Sequence, residues 1–200
     1  MKTMKWLKFF EEQKQAYGKN LFTISELANV ASTTPEALNV ELSRLRHRGI
    51  IVRYARGVYG PKHGVSPENL LWYLDAKAYI TGLFAMHRHQ LITQVPSTIT
   101  CFTNRRHGRS REQVTPNGRY EFVCVSTSVY EPPQSGFITE PEQALFDFVY
   151  LMRLKGANPQ TIVTFRNLDK LEHSTLVRTA PRYPGTVRRQ VSDILEGIPR

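Results

Sequence analysis

Between residues 21 and 59, the hydrophobic positions first follow a helical period and then change to β-type runs. Three leucines recur at i, i+4 and i+7, a spacing that predicts one buried stripe along a helix over residues 36–48. A shorter helical pattern comes before it, and two short apolar runs that predict a β-hairpin come after it. The stretch therefore divides into a helix over 24–31, a turn, the longer helix, and strands at 50–52 and 58–59.

Polar residues and helix breakers mark both ends of the longer helix. Thr34 offers an N-cap, and Pro35 suits the first turn, where its missing N–H removes no hydrogen bond. At the other end, Gly49 is expected to terminate the helix as its C′ residue. A helix, a tight turn, an amphipathic helix and a basic hairpin, in this order, are the outline of a winged helix-turn-helix.

The predicted leucine stripe leaves the polar side chains of the longer helix in solvent. A helix fits the width of the major groove, where Arg and Asn form bidentate hydrogen bonds with base edges. Basic side chains of the hairpin loop, expected over 53–57, would reach phosphate or the minor groove. The predicted DNA-binding residues are Thr33, Thr34, Asn39, Ser43, Arg44, Arg46, Arg48, Arg53, Tyr54 and Arg56. The same pattern also fits a small helical bundle with a solvated face, or a winged helix that docks a protein.

The positive charge of the chain is concentrated in the same region. The formal net charge is +10, and residues 1–64 contain eleven Lys and Arg against five Glu. Such a basic surface favours an anionic partner, of which nucleic acid is the usual one. The segment 60–67 is rich in Gly and Pro and has no period, so we expect a domain boundary there. Residues 1–64 would form the winged helix-turn-helix domain and residues 65–200 a second domain.

The second domain mixes helical and strand-like patterns, which predicts a mixed α/β architecture and an α+β class for the whole chain. Helices are expected at 68–74, 79–89, 139–155, 168–178 and 186–195, and strands at 94–103, 120–126 and 128–130.

Two helices are defined by their own local signals. Residues 3–16 are expected to form a helix with Leu7, Phe10 and Tyr17 at helical spacing and Trp6 beside them, and Trp6 and the phenylalanines are expected in the core. Thr139 and Glu142 are three positions apart at the start of another helix, a spacing that predicts a capping box.

Signals for catalysis or metal binding are thin. Glu140, Glu142 and Asp147 form an acidic cluster of the kind that holds a metal ion, but early helical turns also favour negative charge. His87 and His89 are two positions apart in a predicted helix and would point to different faces, so they predict no zinc site. We expect no enzyme, no metal and no cofactor, and a metal-dependent nuclease or transferase is the third alternative.

Three motifs stand out in the chain: the Arg-Gly-Val-Tyr sequence at 56–59, the segment 78–96, and the Pro-Glu-x-Ala-Leu-x-Asp pattern at 141–147. Together they resemble the AbiEi family, the antitoxins of type IV toxin–antitoxin, or abortive-infection, systems. The resemblance extends from about residue 20 to residue 195. It implies a winged helix that binds inverted repeats in its own promoter and represses the operon. It also implies a second domain that counteracts a nucleotidyltransferase-like toxin.

On this basis we expect a cytoplasmic transcriptional autorepressor and antitoxin with double-stranded DNA as its partner. No run of about 18 apolar residues is present, so no membrane partner is expected. An inverted repeat would bind two copies, either as a dimer or as monomers that pair on DNA.

A second basic cluster lies between two predicted strands of the second domain. Arg105, Arg106, Arg109 and Arg111 fall in the polar segment 104–118, which we expect to be a hairpin tip or a mobile loop. The cluster has two interpretations that the sequence leaves open. It is either a solvated loop or a secondary contact with phosphate or with the toxin.

Overall fold

The computed structural model describes residues 3–108 and 111–197, which fold into two compact units. The first unit contains the described residues up to Ala76 together with Val114–Asn117, and the second contains the rest from Lys77 onward. The first is a winged helix-turn-helix and the second is a mixed α/β unit. The expected α+β class is confirmed.

The first unit combines helices with a small antiparallel sheet. Its elements are α1 (Thr3–Tyr17), β1 (Phe22–Thr23), α2 (Ile24–Ala31), α3 (Pro35–His47), β2 (Ile51–Ala55), β3 (Val58–Pro61) and α4 (Pro67–Leu74). The three strands lie in the order β1-β3-β2, with both neighbouring pairs antiparallel. The core of the unit lies between α1, α2, α3 and this sheet, and it includes the three leucines of the predicted stripe.

Helix α1 packs on the core with Trp6 and Phe10, as predicted, but Leu7 and Tyr17 of the expected stripe remain outside it. Trp6 and Phe10 are buried, whereas Leu7 is 43% exposed and Tyr17 is 76% exposed. At about 100° per residue, Leu7 lies at the edge of the buried face, about 100° from Trp6. Tyr17 is in line with Trp6 and Phe10 but is the last residue of the helix. The indole Nε1 of Trp6 donates a hydrogen bond to Glu41 Oε1 at 2.8 Å and so attaches α1 to α3.

The predicted ends of α3 are confirmed. The backbone N–H of Ala37 donates to Thr34 Oγ1 at 3.3 Å, and Pro35 occupies the first helical position. After the helix, Gly49 has a φ of +68° and donates its N–H to the carbonyl of Arg46 at 2.9 Å. This left-handed conformation favours glycine, and the N–H of Gly49 satisfies a carbonyl group that the helix itself leaves unpaired.

The hairpin has longer strands and a shorter loop than predicted. Ala55 pairs with Val58 in the register of β2 and β3, so only Arg56 and Gly57 connect the strands. Gly57 has a φ of +73°, a left-handed conformation that most side chains disfavour. Arg53 is therefore a strand residue, and the prediction of a loop over 53–57 was wrong.

Helix α4, which we expected in the second domain, belongs to the first unit. The Tyr73 hydroxyl donates to the Leu21 carbonyl at 3.0 Å, and side chains also hold the Gly- and Pro-rich segment before the helix. The Asn20 amide donates to the Gly64 carbonyl there. The division between the units thus falls after residue 76, because hydrogen bonds keep the segment with the winged helix.

The second unit is built from a mixed sheet and several helices. Its elements are β4 (Tyr79–Ile80), α5 (Gly82–Arg88), β5 (Thr98–Thr103), β6 (Glu112–Thr115, whose last two residues belong to the first unit), β7 (Gly118–Cys124), α6 (Pro141–Leu154), α7 (Pro159–Ile162), α8 (His173–Thr179) and α9 (Gly185–Glu196). The sheet order is β4-β5-β7-β6, in which β5 and β7 are parallel and β4 and β5 are antiparallel.

Helix α6 lies at the centre of this unit and packs against α5, α8 and α9. Ten of its fourteen residues are buried, which is far more than one stripe provides. The helical spacing of Leu145, Phe148, Val149 and Met152 predicts one buried stripe, and all four are buried. Glu142 and Asp147 are buried as well. A helix enclosed on nearly all sides must satisfy such polar groups with protein partners.

Three predictions for the second unit were wrong where the structure depends on distant partners. Tyr79 and Ile80, expected in a helix, form β4 because they pair with Phe102 and Cys101 of β5. The expected strand at 128–130 is a turn, in which the Tyr130 N–H donates to the Ser126 carbonyl at 2.9 Å. The segment 104–118, expected to be a loop, contains strand β6.

The capping box predicted at the start of α6 is also absent. Glu140 is the N-cap residue and makes no side-chain capping bond. The Thr139 hydroxyl instead donates to Thr81 Oγ1 at 3.1 Å, and the Glu142 carboxylate accepts from the Glu172 N–H at 2.7 Å. Buried partners from other elements have replaced the local cap.

Candidate nucleic-acid interface

The outward face of α3 is the side opposite its buried leucines. Successive helical residues are rotated by about 100°, so the centre of this face consists of Glu36, Val40, Ser43 and His47. All four side chains are exposed. Sequence reasoning included only Ser43 among the DNA-binding residues, although the same rotation applied to the leucine spacing would have identified the other three.

The predicted basic residues of α3 lie on the two flanks of this face. Arg44 and Arg46 are two positions apart, which corresponds to about 200° around the helix axis. Asn39 lies on the flank of Arg46, and Ala37 lies on the flank of Arg44. All of these side chains are exposed, as predicted, but the two arginines do not share one side of the helix.

The flank of Arg46 borders a groove beside the hairpin. This groove has a volume of about 390 Å³, and Ser43, Arg46 and His47 line one side of it. Val52 and Arg53 of β2 line the other. The structure therefore brings the predicted helix and hairpin residues to one surface, where two guanidinium groups face the same open space.

The flank of Arg44 borders a second groove, of about 580 Å³, between α3 and the start of α1. Ala37, Val40 and Arg44 are among its lining residues, together with Arg48. Arg48 is exposed, and its Nη1 donates to Thr3 Oγ1 at 2.8 Å. One of the predicted DNA-binding cations is thus already hydrogen-bonded to α1.

The turn and the wing contribute the remaining predicted residues. Thr33 and Thr34 are exposed in the turn before α3, and Thr34 also caps that helix. Arg53 is exposed on β2, where its Nε donates to the Ala55 carbonyl at 3.1 Å. Arg56 is exposed at the tip of the two-residue wing.

Tyr54 does not belong to this surface. Its side chain is 3% exposed, and its hydroxyl donates to the Pro61 carbonyl at 2.7 Å. Side chains alternate along a strand, so the register that exposes Arg53 turns Tyr54 inward. Burial also raises the pKa of this phenol. We correct the prediction by removing Tyr54 from the candidate interface.

A capping box that sequence reasoning missed holds the first helix of the helix-turn-helix. The Glu26 N–H donates to Thr23 Oγ1 at 3.2 Å, and Glu26 Oε2 accepts from the Thr23 N–H at 2.7 Å. Burial raises the pKa of Glu26, but hydrogen bonds from Lys19 and Thr23 outweigh it and the net pKa is lowered. The Thr-x-x-Glu spacing was a readable signal for this box.

Residues 16–62 match the protein family described as "Transcriptional regulator, AbiEi antitoxin". The matched segment runs from the end of α1 through α2, the turn and α3 to the hairpin. We call residues 16–62, which are similar to this family, the AbiEi segment. No curated protein matches the chain.

The AbiEi segment contains every predicted DNA-binding residue from Thr33 to Arg56. The family description names a regulator and an antitoxin, and it names no catalytic activity. Within the residues that the structure describes, no helix is long and apolar enough to cross a lipid bilayer.

Outside the AbiEi segment, Glu142 and Asp147 of the acidic cluster are buried and hydrogen-bonded, whereas Glu140 is exposed. Asp147 is fully buried and accepts hydrogen bonds from the hydroxyls of Thr81 and Tyr183, each at 2.7 Å. Burial raises the pKa of Asp147 to about 7, although both hydroxyl groups favour the ionised form. Asp147 lies in the early turns of a helix, as predicted, and the structure adds that its carboxyl group is buried there.

The histidines and cysteines considered for a metal do not come together. Across residues 3–108 and 111–197, no three His, Cys, Asp or Glu side chains are grouped as metal ligands would be. His89 Nε2 lies 2.7 Å from the Thr139 carbonyl, the kind of contact expected for a histidine at a helix end. Cys101 is buried and Cys124 is exposed, and neither forms a disulfide bond.

The second basic cluster is partly neutralised. Arg105 and Arg106 are exposed, whereas Arg111 donates from Nη2 to Glu121 Oε1 at 3.0 Å. Arg109 lies outside the described residues. The ion pair with Glu121 reduces the charge that this segment offers to phosphate.

Proposed function

We propose that this chain is a transcriptional autorepressor that binds operator DNA with the outward face of α3 and the wing. The observation that carries the proposal is that α3 leaves most of its surface uncovered and has an arginine on each flank of its outward face. The adjoining hairpin adds the exposed Arg53 and Arg56. The match of this segment to a family of transcriptional regulators supports the same role.

The proposed geometry assigns a separate part of the DNA to each part of the surface. Helix α3 enters the major groove with Ser43 near the groove floor, and Arg44 and Arg46 meet bases or phosphates on opposite sides. Arg53 and Arg56 hold the flanking phosphates through the wing. Thr33 and Thr34, at the N-terminal end of the helix, contact the backbone beside the groove.

Two copies of the chain would occupy an inverted repeat. A two-fold DNA site requires the same protein surface twice, at half-sites separated by about one helical turn or a multiple of it. The proposal accommodates a dimer in solution as well as monomers that pair on the operator, and binding stoichiometry measured on half-site and full-site duplexes distinguishes them.

A binding titration tests the proposal directly. The protein is titrated against the duplex just upstream of its own gene and against a scrambled duplex of equal length, at several salt concentrations. We expect a preference of about 1,000-fold or more for the native duplex. If Arg44, Arg46, Arg53 and Arg56 of each copy all meet phosphate, log K should fall with log salt at a slope of about −3 to −4 per copy. Equal binding to both duplexes would refute sequence-specific repression and favour a protein-docking winged helix.

A matched pair of variants locates the binding surface. Ser43→Asp adds a negative charge at the centre of the outward face, and we expect it to abolish binding to the native duplex. Thr186→Asp adds the same charge at an exposed position in the first turn of α9, where a helix tolerates it. This control should bind normally. Equal binding by both variants would remove α3 from the interface.

We further propose that the chain is the antitoxin of a type IV toxin–antitoxin system and acts in the cytoplasm, where its operator is. The family description and the resemblance of the second domain support this role. The test is co-expression with a nucleotidyltransferase-like protein encoded beside it, with growth as the measurement. We expect the full chain and its Ser43→Asp variant to relieve growth arrest equally. Failure of both to do so would refute the antitoxin role and leave repression intact.

A further inference from the structure

Val40 is an exposed aliphatic residue at the centre of the proposed DNA-reading face. Its side chain is 58% exposed, between the polar residues Glu36 and Ser43 on the same side of α3. We infer that Val40, together with Ala37 one turn before it, recognises the 5-methyl group of a thymine in the major groove. This inference rests on the proposed DNA binding and adds a specific base to it.

The chemistry of the groove limits what Val40 can contact. Base edges present hydrogen-bond donors and acceptors there, and the thymine methyl is the apolar group among them. Valine has no hydrogen-bonding atom in its side chain, so it reads sequence only through such an apolar contact. Ala37 is exposed and lines the same groove as Val40, which makes the apolar surface continuous.

Folding does not explain a valine at this position. Val40 is not a member of the hydrophobic core of the first unit, which α3 enters through Leu38, Leu42 and Leu45. A β-branched residue also lowers helix propensity relative to alanine. An isolated exposed valine is ordinary on protein surfaces. This one is set apart by its place at the centre of a helix face bordered by arginines.

The position of Arg44 fixes where the thymine should lie. Arg44 follows Val40 by one helical turn and lines the same groove. Four residues rise by about 6 Å along a helix, which corresponds to about two base steps of 3.4 Å. The thymine read by Val40 should therefore lie within about two base pairs of the base or phosphate that Arg44 contacts.

Deoxyuridine provides the direct test, because it differs from thymidine only by the missing methyl group. The footprint of the protein on the native duplex is mapped first, and each thymine within it is then replaced singly by deoxyuridine. We expect one replacement per half-site to weaken binding about fourfold, the effect of losing one buried methyl-sized contact. Replacements at other protected thymines should have smaller effects.

The variant Val40→Ala links that effect to the side chain. It should bind the native duplex about as weakly as the wild type binds the uridine duplex, and it should not distinguish the two duplexes. Val30→Ala removes the same atoms from an exposed valine on α2, and this control should retain the fourfold difference. Far-UV circular dichroism confirms that both variants are folded.

The outcomes separate this inference from the proposed function. Specific binding without a uridine effect at any position overturns the role of Val40, and so does a uridine effect that Val40→Ala retains. Neither result affects repression. Equal binding to native and scrambled duplexes refutes the proposed function, and the inference falls with it. A uridine effect that disappears only in Val40→Ala supports both.

Discussion

Helices α3 and α6 begin with similar residues but differ in how much of their surface is buried. Each has a proline in its first turn and a threonine near its start that fits a cap by residue type. Helix α3 buries three of its thirteen residues, whereas α6 buries ten of its fourteen. The first helix presents its polar side chains to solvent, where they are available to a partner. The second must satisfy its polar side chains within the protein.

The two helices differ in the free energy that a polar side chain contributes to folding. A polar side chain on the exposed face of α3 can exchange its hydrogen bonds with water for hydrogen bonds with a partner at a small cost in free energy. On α6, Asp147 is removed from water and depends on the hydroxyl groups of Thr81 and Tyr183. Burial of a charge lowers stability unless the charge is paired or neutralised. The raised pKa of Asp147 reflects this penalty, because burial favours the neutral acid. Changes in α6 should therefore alter stability, and changes on the face of α3 should alter binding.

The largest effect is expected from truncation of the α6 core. Phe148 is fully buried, so Phe148→Ala should lower the free energy of unfolding by about 3–5 kcal/mol. Ser43→Ala, at an exposed position of α3, should change it by less than about 0.5 kcal/mol. Urea denaturation of both variants measures the contrast. A loss below about 1 kcal/mol for Phe148→Ala would contradict its central place in the core.

The next effect is a pH dependence that comes from Asp147. Burial raises its pKa from 3.8 to about 7, so the neutral acid is the form that the folded chain favours. The contribution of this group to stability is complete below about pH 4 and is lost as the pH rises through 7, by up to about 4 kcal/mol. Asp147→Asn cannot ionise and should lack this loss.

The measurement is the free energy of unfolding of both proteins between about pH 4 and pH 8. Other groups titrate in both proteins, so the difference between the two curves isolates Asp147. The variant should gain stability relative to the wild type as the pH rises. Parallel curves would mean that burial does not raise the pKa of Asp147.

A smaller effect, on binding alone, is expected from the two flanks of α3. Arg44→Ala and Arg46→Ala should each weaken operator binding by about 1–3 kcal/mol. Since the two side chains lie on opposite flanks, their effects in the double variant should add within about 0.5 kcal/mol. Lys8→Ala removes one positive charge from α1 and should leave binding nearly unchanged. A large coupling energy would show that both arginines act on one group of the DNA.

The smallest effect concerns the two threonines. Thr34→Ala should lower the free energy of unfolding by about 1 kcal/mol, and Thr34→Asn should restore most of it, because asparagine is also a good N-cap. Thr139→Asn should instead destabilise the protein, because Thr139 is fully buried and its hydroxyl donates to Thr81. Thermal unfolding of the three variants compares them. Full stability of Thr139→Asn would contradict the absence of a Thr139 cap.

The winged helix could be predicted because its signals are local. The leucine stripe, the cap at Thr34 and the stop at Gly49 all lie within one helix and its ends. The inward position of Tyr54 could not be predicted in the same way, because it depends on where β2 begins and on its pairing with β3. The placement of Arg44 and Arg46 on opposite flanks needed only the helical rotation of 100° per residue.

The second unit was harder to predict because its decisive partners are far apart in sequence. Tyr79 and Ile80 form a strand only because β5, about twenty residues later, pairs with them. The Thr139 hydroxyl donates to Thr81, which is 58 positions earlier, and does not cap α6. No local pattern around residue 139 contains that information, and a capping spacing occurs there without a cap. The stripe of α6 was visible in the sequence, but the burial of its other sides was not.

The position of the two tryptophans has a practical consequence for separating the units. The chain has two tryptophans, Trp6 and Trp72, and both belong to the first unit. Trp6 is fully buried with its indole bound to Glu41 of α3, whereas Trp72 is 56% exposed. Intrinsic tryptophan fluorescence therefore reports on the winged helix alone, and its emission should shift to the red when Trp6 becomes exposed to water. Followed beside the ellipticity of the whole chain, it gives a label-free measure of whether the winged helix melts together with the rest of the chain or independently.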